Sequence, residues 1–570
     1  MPGGGGATRV RMTRPSPDPD ALLTRLRAIV GRRHLLTGER ATARFRHGYR
    51  TGAGAAIAVV RPGSLVELWH VAQACVAADV SIIMQAANTG LTGGSTPDGD
   101  DYPGGVVIVA TMRIAGLHLI RDAGQVVCLP GTTLDALEKA LAPLGREPHS
   151  VIGSSCFGAS VIGGVCNNSG GSLVRRGPAY TELALYGQVG ADGVLRLVNR
   201  LGIALGDTPE EVLARVERGD FSDADVAACD AARAHDHDYA AHVCAIDAET
   251  PARFNADPRR LREAAGSAGK LIVFAVRLDT FPVERDTATF YIGTGDPMAL
   301  TALRRAILSR PELLPIAGEY MHRTAFDIAD RYGRDMFAVI ERLGTARLPA
   351  LWAAKGRVDA LLPGAADRWM QRAGRLLRDH LPARMRAFRD RYPHHLILKM
   401  PGAAAAATRA LLDETIGADG WFACDAIEAK KAFLHRFVAA GAAVRYRAVH
   451  RDTVEDIVAL DVALPRNARD WTETLPADLA AEVIHTLYYG HFFCHVFHQD
   501  YIVRRGTDPV AFEHRLWTLL DVRGAEYPAE HNVGHLYRAK PALAEFYRTL
   551  DPRNQLNPGV GQLPRGREWR

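Results

Sequence analysis

The chain has 570 residues and a formal net charge of +5; 47% of its residues are hydrophobic and 23% are charged. This length is too great for one hydrophobic core, so about two to four domains of ordinary folded composition are expected. No window approaches 18 uninterrupted apolar residues, which excludes a membrane-spanning helix and leaves any membrane contact to the surface. Residues 1–19, rich in Gly, Pro and Arg, are expected to be a disordered tail without a signal peptide.

Eight cysteines are spread along the chain, and none forms a C-x-x-C pair. Most of them lie in apolar runs. This pattern is typical of reduced, buried thiols in a cytosolic protein rather than of a disulfide framework.

Helical and strand patterns alternate along the chain and predict an α+β protein. Helices with cap signals are predicted over residues 18–31, 64–78 and 132–141. Short apolar runs predict strands over residues 56–60, 81–84, 106–110, 117–120, 125–129, 183–189, 270–277, 290–293 and 396–400. Residues 207–249, dense in Asp, Glu and His, are expected to be a solvated excursion and not a site.

Two segments that lack bulky side chains follow or interrupt these strands: Gln85–Ser95 and Val151–Gly171, which together hold nine glycines. Glycine lets backbone N–H groups approach a ligand, and clustered N–H groups with short hydroxyls suit phosphate oxygens. We therefore interpret them as phosphate cradles, with ordinary turns as the alternative. Neither a Rossmann G-x-G-x-x-G nor a Walker P-loop is present, so a bound dinucleotide would need a different fold.

Longer motifs resemble the bacterial quinone-dependent D-lactate dehydrogenases, a family of peripheral membrane flavoenzymes. The resemblance covers nearly the whole chain from about Ala21. The residues that carry it are Gln85–Gly90, Arg146–Cys156, Gly163–Ser172, Gly318–Arg323, Ala432–Phe437, Tyr488–His491 and Glu526–His535.

The resemblance implies noncovalent FAD bound by a domain of the vanillyl-alcohol oxidase and p-cresol methylhydroxylase type. That domain is expected over residues 20–279, with 530–570 returning to it. A cap domain is expected over residues 280–321, 390–427 and 452–529, and a mostly helical membrane-binding region over 322–389 and 428–451. The cofactor-binding residues would be Ala86, Ala87, Asn88, Thr89, Gly90, Gly94, Ser95, Gly153, Ser160, Gly170 and Val273.

Positive charge is concentrated between Arg342 and Arg391, where twelve Lys and Arg residues face four Asp and Glu. Arg368, Arg372 and Arg375 fall on one helical stripe beside an aromatic and aliphatic stripe, which suits an anionic membrane surface. An ordinary surface helix packed by its apolar stripe is the alternative, and no nucleic-acid-binding motif accompanies the arginines. The resemblance favours attachment to the cytoplasmic face of the bacterial inner membrane.

Candidate catalytic residues lie near the C-terminus. His491 and His498 bracket an aromatic run that predicts one strand, and Glu530-His531 follows. These residues are similar to a segment of the wider FAD-linked D-2-hydroxy acid dehydrogenases, which implies His531 as the base. It also offers His491, His498 and Glu530 as ligands of a divalent metal, although this chain departs from that pattern between its histidines. The alternative is a pair of strand histidines hydrogen-bonded in a core.

Arg436 is the candidate to hold a substrate carboxylate, because guanidinium binds carboxylate in a bidentate manner. By the resemblance the protein is expected to oxidise D-lactate to pyruvate and to pass the electrons through FAD to membrane quinone. The alternatives are an FAD-dependent oxidase or dehydrogenase of other D-2-hydroxy acids and a basic scaffold that retains an inactive flavin fold.

Overall fold

The computed structural model describes residues 18–149, 158–227, 232–344, 355, 365–377 and 379–570. Within them the chain is α+β, as expected, and forms three separate sheets flanked by helices. Gly153, most of the N-terminal tail and much of the basic insertion lie outside the described residues.

The strands are short in the first half of the chain and longer in the second. They are β1 Leu35–Leu36, β2 Ala58–Val60, β3 Ser81–Gln85, β4 Val106–Ala110, β5 Leu117–Ile120, β6 Gln125–Cys128, β7 Arg146–Pro148, β8 Ala184–Val189, β9 Leu195–Asn199, β10 Ile272–Pro282, β11 Thr287–Thr294, β12 Ala317–His322, β13 His394–Pro401, β14 Trp421–Ala423, β15 Val454–Ala463, β16 Val483–His491 and β17 Val496–Arg504. Each strand predicted from an apolar run is present, most of them with ends shifted by one or more residues.

The α-helices are distributed along the whole chain. They are α1 Pro19–Val30, α2 Glu39–Arg46, α3 Leu65–Ala77, α4 Leu134–Leu141, α5 Val161–Cys166, α6 Pro209–Arg218, α7 Tyr239–Cys244, α8 Pro297–Leu308, α9 Arg323–Tyr332, α10 Arg334–Leu343, α11 Ala365–Arg375, α12 Ala383–Arg391, α13 Ala405–Thr415, α14 Ala426–Phe437, α15 Ala439–Val449, α16 Ala477–Ala481, α17 Pro509–Val522 and α18 Pro541–Leu550. None of the described helices has the length and apolar character needed to cross a membrane.

Predicted helix caps are present where the sequence places them. Asp18 accepts from the backbone N–H groups of Asp20 and Ala21 at the start of α1. Ser64 accepts from the Glu67 N–H at the start of α3, but the Glu67 carboxylate reaches back to Gly63 instead of Ser64. The capping box is therefore displaced by one residue.

Two sheets built from the first half of the chain share one core. In the first, β2, β4 and β3 run parallel and β1 is antiparallel at the edge. The second is antiparallel in the order β5-β6-β10-β8-β9, with β7 also paired to β10. Val107 of the first sheet and Phe274 of the second belong to the same buried cluster. The C-terminal segment returns to this unit, because Leu556 pairs with Ile82 beside β3.

The third sheet, which we call the cap sheet, is antiparallel in the order β14-β11-β13-β12-β16-β17-β15. Alternation along its strands gives it two buried faces. One carries Tyr320, Leu398 and Leu460 in the largest hydrophobic cluster. The other carries Met321 and Tyr489 and packs against α9, α14 and α15.

The expectation of a solvated excursion over residues 207–249 is wrong in part. Helix α6 buries Val212, Leu213 and Val216 in the core of the first two sheets. Asp236 is buried in an ion pair with Arg260. The acidic residues on the exposed side of α6 hid this amphipathic face, because charge density alone does not reveal helical periodicity.

Candidate active site

The two candidate histidines lie on neighbouring strands, and the prediction that residues 491–498 form one strand is wrong. His491 ends β16, residues 492–494 form a single 3₁₀ turn, and β17 begins at Val496. His495 occupies the left-handed region with a φ of 53°, which reverses the chain. The hairpin brings the rings of His491 and His498 onto one face with centroids 5.4 Å apart.

His491 lies between two carboxylates. Its Nδ1 is 2.7 Å from Oε1 of Glu319 on β12, and its Nε2 is 3.3 Å from Oε2 of Glu530. Burial lowers the pKa of His491, but the two carboxylates outweigh burial and raise it to about 10. His491 is therefore a cation in this arrangement. His498 differs because burial, with Arg436 and His491 nearby, lowers its pKa to about 4 and leaves it neutral.

Glu530 joins the catalytic strands to the second Gly-rich segment. Its Oε1 pairs with the guanidinium of buried Arg253, which also donates to the Gly171 carbonyl. A Cβ at Gly170 would overlap both Glu530 and Arg253, so glycine is required there for close approach. Although burial opposes ionisation, His491 and Arg253 hold the pKa of Glu530 well below its usual range.

His531 is oriented by Asp461 of β15. Oδ2 of Asp461 is 2.7 Å from Nδ1 of His531 and also accepts from the backbone N–H groups of Glu530 and His531. Burial lowers the pKa of His531, but the Asp461 carboxylate outweighs it and the net direction is upward. A carboxylate bound at Nδ1 leaves Nε2 as the proton-accepting atom of the ring, as in a Ser-His-Asp triad.

Arg436 lies in the last turn of α14 and reaches the same cluster. One of its terminal nitrogens is 3.1 Å from Oε2 of Glu319, and its guanidinium lies 4.5 Å from the centre of the Tyr489 ring. Its Nε is buried and has no hydrogen-bond partner among the described residues. Arg436 is therefore not an isolated clamp, but it keeps one unused donor.

The first Gly-rich segment directly follows β3 and is fixed at both ends. Gln85 donates to the carbonyls of Phe45 and Ser95, and Asn557 donates to the Gly94 carbonyl. Asn88 has a φ of 55° and accepts from the Ser95 hydroxyl. The middle of the loop, at Ala86, Ala87, Thr89 and Gly90, is half-buried or exposed.

Gly90 and Gly94 have different surroundings. A Cβ at Gly90 would meet no atom within 4 Å, whereas a Cβ at Gly94 would lie 2.8 Å from the Asn532 side chain. The first half of the loop is thus open toward the space where a ligand would lie. The second half packs against the segment that carries Glu530 and His531.

The second Gly-rich segment is described from Gly158 onward. Ser160 caps α5 by accepting from the Gly163 N–H, so its hydroxyl oxygen already has a partner. Val273 is buried on β10 opposite Tyr186, beside an irregularity in the strand. Gly170 lies against Glu530 and Arg253, which places the two predicted sites side by side. We call the candidate site formed by Arg253, Glu319, Arg436, Asp461, His491, His498, Glu530 and His531 the catalytic cluster.

Three contributors to the cluster were not predicted: Glu319, Arg253 and Asp461. Glu319 lies inside a motif that carries the family resemblance, and Asp461 interrupts the apolar run over residues 457–464, so each of them gave a usable signal. Arg253 gives no local signal, because its role depends on a contact with Glu530 far along the chain.

The geometry also fits a divalent metal at the residues named for it. Ligand atoms of His491, His498 and Glu530 all lie within 4.8 Å of one another, and Oε2 of Glu530 is 3.3 Å from Nε2 of His491 and 3.9 Å from Nε2 of His498. Glu319 at Nδ1 of His491 is the carboxylate partner that metal-bound histidines usually have. A proton on His491 and a metal at this position are alternatives, because a ligating imidazole is neutral.

Comparison with solved structures identifies the fold. p-Cresol methylhydroxylase aligns with a TM-score of 0.58 at 11% identity, covering 96% of this chain and 97% of that one. Alkyldihydroxyacetonephosphate synthase also aligns with a TM-score of 0.58, covering 96% of this chain and 86% of that one. The expected fold of the vanillyl-alcohol oxidase and p-cresol methylhydroxylase type is confirmed.

Comparison with known sequences identifies the family. Models described as "FAD binding domain" and "D-lactate dehydrogenase, membrane binding" match residues 56–196 and 289–569. The quinone-dependent D-lactate dehydrogenase of Escherichia coli K12 is 56% identical over 561 residues, covering 97% of this chain and 98% of the relative. That of Corynebacterium glutamicum is 45% identical over 552 residues, covering 95% and 96%. The chain therefore belongs to the family of FAD-containing, quinone-dependent D-lactate dehydrogenases.

Proposed function

We propose that the protein oxidises D-lactate to pyruvate at the cluster around His491, Glu530 and His531, and that the electrons pass through noncovalent FAD to membrane quinone. The observation that carries this assignment is the buried Nε of Arg436, which has no hydrogen-bond partner among the described residues and lies in the same cluster as the His531–Asp461 pair. With His531 neutral, the cations Arg253, Arg436 and His491 balance the carboxylates of Glu319, Glu530 and Asp461. The free donor of Arg436 therefore marks where a substrate carboxylate would bind.

His531 is the proposed base for the lactate hydroxyl. Asp461 fixes Nδ1, so Nε2 would take the hydroxyl proton and the Asp461 carboxylate would stabilise the imidazolium that forms. His498 is a weaker candidate, since its lowered pKa makes it a poor proton acceptor.

Arg436 is the proposed carboxylate-binding residue, with its unpartnered Nε as the free donor. Glu319 would position it and His491 together, because one carboxylate contacts both. The neutral His498 ring beside them could donate to the substrate hydroxyl or carboxylate.

The Gly-rich segments fit the pyrophosphate of FAD. The open loop at Ala86–Gly90 has room for phosphate against its backbone, while Gln85 and Asn557 fix its ends. Bound FAD would accept the hydride that leaves the substrate carbon. We assign it to the unit of residues 20–279 with 530–570, and the cap to the boundaries expected from the sequence.

Membrane attachment is assigned to α11 and its neighbours, at the cytoplasmic face of the inner membrane. On α11 the buried positions are Ala366, Asp367, Gln371 and Gly374, so the helix does not pack by its large apolar residues. Trp369 is 57% exposed and Leu376 is 87% exposed, next to exposed Arg368 and Arg372. Apolar side chains beside exposed cations suit the headgroup region of an anionic bilayer.

A second candidate differs in the cation of the cluster: a divalent metal would take the place of the proton on His491. Two imidazoles and a carboxylate form a ligand set typical of zinc, which would polarise the substrate hydroxyl. Elemental analysis of protein purified without chelator tests this. One metal per chain in the wild type and none in His498→Ala would establish the metal, and a metal-free, fully active wild type would exclude it.

Anaerobic mixing with substrate tests the main proposal. We expect a yellow protein whose flavin absorbance is bleached by D-lactate and not by L-lactate. A colourless, folded protein that gains no colour on addition of FAD would contradict the proposal.

A further inference from the structure

Two adjoining cavities lie at one end of the cap sheet, away from the catalytic cluster. The first has a volume of about 360 Å³ and the second about 350 Å³. They share Glu473, Ile484, His485, Thr486 and Tyr488 as lining residues. Both cavities therefore take part of their walls from the same stretch of β16.

The first cavity lies on the opposite face of the sheet from the catalytic residues. On β12, Tyr320 and His322 line it, whereas Glu319 points to the other face. On β16, Tyr488 lines it, whereas Tyr489 faces the catalytic side. The same two strands thus connect the cavity and the catalytic cluster.

The cavity wall offers hydrogen-bond donors on uncharged rings. Nδ1 of His322 accepts from the Thr324 backbone N–H at 3.2 Å, so the neutral ring carries its hydrogen on Nε2. Nδ1 of His394 is 2.8 Å from the Tyr320 hydroxyl. When Tyr320 donates, Nε2 of His394 is a donor as well. Burial lowers the pKa of both histidines, that of His394 to about 4, which keeps these rings neutral at pH 7.

The remaining wall combines the rings of Trp471 and Tyr488 with threonine and aliphatic side chains and has no net charge. Trp471 meets Tyr320 edge-on with ring centroids 4.7 Å apart and stacks on Phe497 at 5.3 Å. The carboxylate of Glu473 is paired with Arg523 at 2.6 Å. Such a wall suits a flat, uncharged ring that carries carbonyl oxygens.

The cavity also adjoins the proposed membrane-binding region. Thr324, in the first turn of α9, lines the first cavity, and α9 packs against α11. Helix α9 begins at Arg323, directly after His322. Toward the other end, His491 lies three positions along β16 from Tyr488, a span of about 10 Å.

We propose that the first of these adjoining cavities binds the head group of the membrane quinone, with His322 and His394 donating to its carbonyl oxygens. This inference rests on the proposed function. D-lactate loses two electrons and two protons on becoming pyruvate. The quinone gains two electrons and two protons on becoming quinol. The electrons would come through bound FAD. The protons would come from the Tyr320–His394 pair, which water would reprotonate.

Variants that fill or alter the cavity test the site. Thr486→Phe places a ring at the wall shared by both cavities, and a strand tolerates phenylalanine well. His394→Phe removes a donor and keeps the ring. His322→Asn keeps an acceptor for the Thr324 N–H but removes the Nε2 donor. His514→Phe, on the exposed side of α17, is the matched control.

The assay is D-lactate oxidation with a soluble short-chain ubiquinone, run in parallel with ferricyanide, an anionic acceptor. We expect the quinone KM of the three cavity variants to rise at least tenfold, with ferricyanide activity and the control unchanged. Unaltered quinone kinetics in Thr486→Phe and His394→Phe would overturn the site while leaving the proposed function in place. Wild-type protein that reduces ferricyanide but not quinone would overturn both.

Labelling of the wild type covers the case in which a variant fails to fold. A photoreactive azido-quinone should modify residues 471–474 or 484–488, and excess short-chain ubiquinone should protect them. Labelling confined to other segments would contradict the site.

Discussion

The catalytic cluster and helix α11 use the same kinds of charged side chain in opposite ways. In the cluster the carboxylates are buried, and two of them are each shared between two cations: Glu319 between His491 and Arg436, and Glu530 between His491 and Arg253. On α11, Arg368 and Arg372 are exposed and have no carboxylate partner among the described residues. Burial makes each pairing strong and geometrically exact in the first region, whereas exposure leaves the charges of the second available to another surface.

The largest effect is expected from the base. His531→Ala should slow reduction of the flavin by D-lactate about 100- to 10,000-fold, the range for loss of a general base. Stopped-flow measurement of the bleaching rate checks this. FAD content should stay at the wild-type level, because His531 is oriented by Asp461 and not by the Gly-rich loop at Gly90.

Asp461→Asn is the companion variant. An amide at this position no longer stabilises the imidazolium, so flavin reduction should slow in the same direction while the ring remains in place. A normal bleaching rate in His531→Ala would remove it as the base, and a normal rate in Asp461→Asn alone would show that the carboxylate only orients the segment.

Local patterns predicted much of the molecule before any contact was known. The strand runs, the caps at Asp18 and Ser64 and the two Gly-rich loops follow from neighbouring residues, so they could be recognised in the sequence. The helix α6 was missed because acidic side chains on its exposed face dominated the composition.

The site itself depends on contacts between distant segments. His491, His498, Glu530 and His531 were proposed from their motif, but the hairpin at His495 was not predicted, because an aromatic run without Gly or Asn carries no turn signal. The partner Arg253 becomes recognisable only when the second Gly-rich segment is brought against Glu530.

A second prediction for the catalytic cluster concerns the carboxylate of Glu319, which Arg436 and His491 share. Glu319→Gln leaves Arg436 and His491 without their common anion, and breaking a buried ion pair costs about 3–5 kcal/mol. Urea denaturation measures this loss in the free energy of unfolding. A D-lactate KM that rises together with the loss would show that Glu319 also positions Arg436 for the substrate.

The matched control is Glu284→Gln. Glu284 pairs with Arg175 through side chains that are more than one-third exposed, so its loss should change stability little. Equal losses in the two variants would show that the buried sharing of Glu319 is not what stabilises the cluster.

A substitution at Gly90 separates the cofactor loop from the catalytic cluster. Gly90→Val meets no protein atom, so the fold should stay intact while the side chain fills the space proposed for FAD. We expect at least tenfold weaker FAD binding, measured by titration of the apoprotein. Full FAD occupancy with unchanged affinity would show that the cofactor does not approach this loop.

The exposed region should give a smaller effect. Arg368→Gln with Arg372→Gln should weaken binding to anionic vesicles by about 1 kcal/mol for each cation removed, roughly tenfold or more together. Sedimentation with phosphatidylserine or phosphatidylglycerol vesicles measures it, while ferricyanide activity stays unchanged. Arg215→Gln with Arg218→Gln, on the distant helix α6, is the control pair. Equal binding of both double variants would rule out α11 as the contact.

The smallest effect, a loss of stability, is expected from removing the carboxylate of Asp330, which pairs with two arginines near α11. Asp330 of α9 binds Arg386 at 2.6 Å and Arg334 at 3.0 Å. Burial opposes ionisation, but these two guanidinium groups lower the pKa of Asp330 from 3.8 to about 2. Asp330→Asn should therefore reduce the free energy of unfolding by about 1 kcal/mol.

The sign of the pH dependence follows from the lowered pKa of Asp330. The folded state holds this carboxylate ionised more strongly than the unfolded state, so its contribution is complete above about pH 4 and is lost as the pH falls through about 2. The stability difference between wild type and Asp330→Asn should close over that interval. A difference that stays constant down to pH 2 would mean that the side chain acts by packing and not by charge. In that case the ion pairs near α11 would contribute nothing to stability through charge, and the contrast between the catalytic cluster and α11 would depend on burial alone.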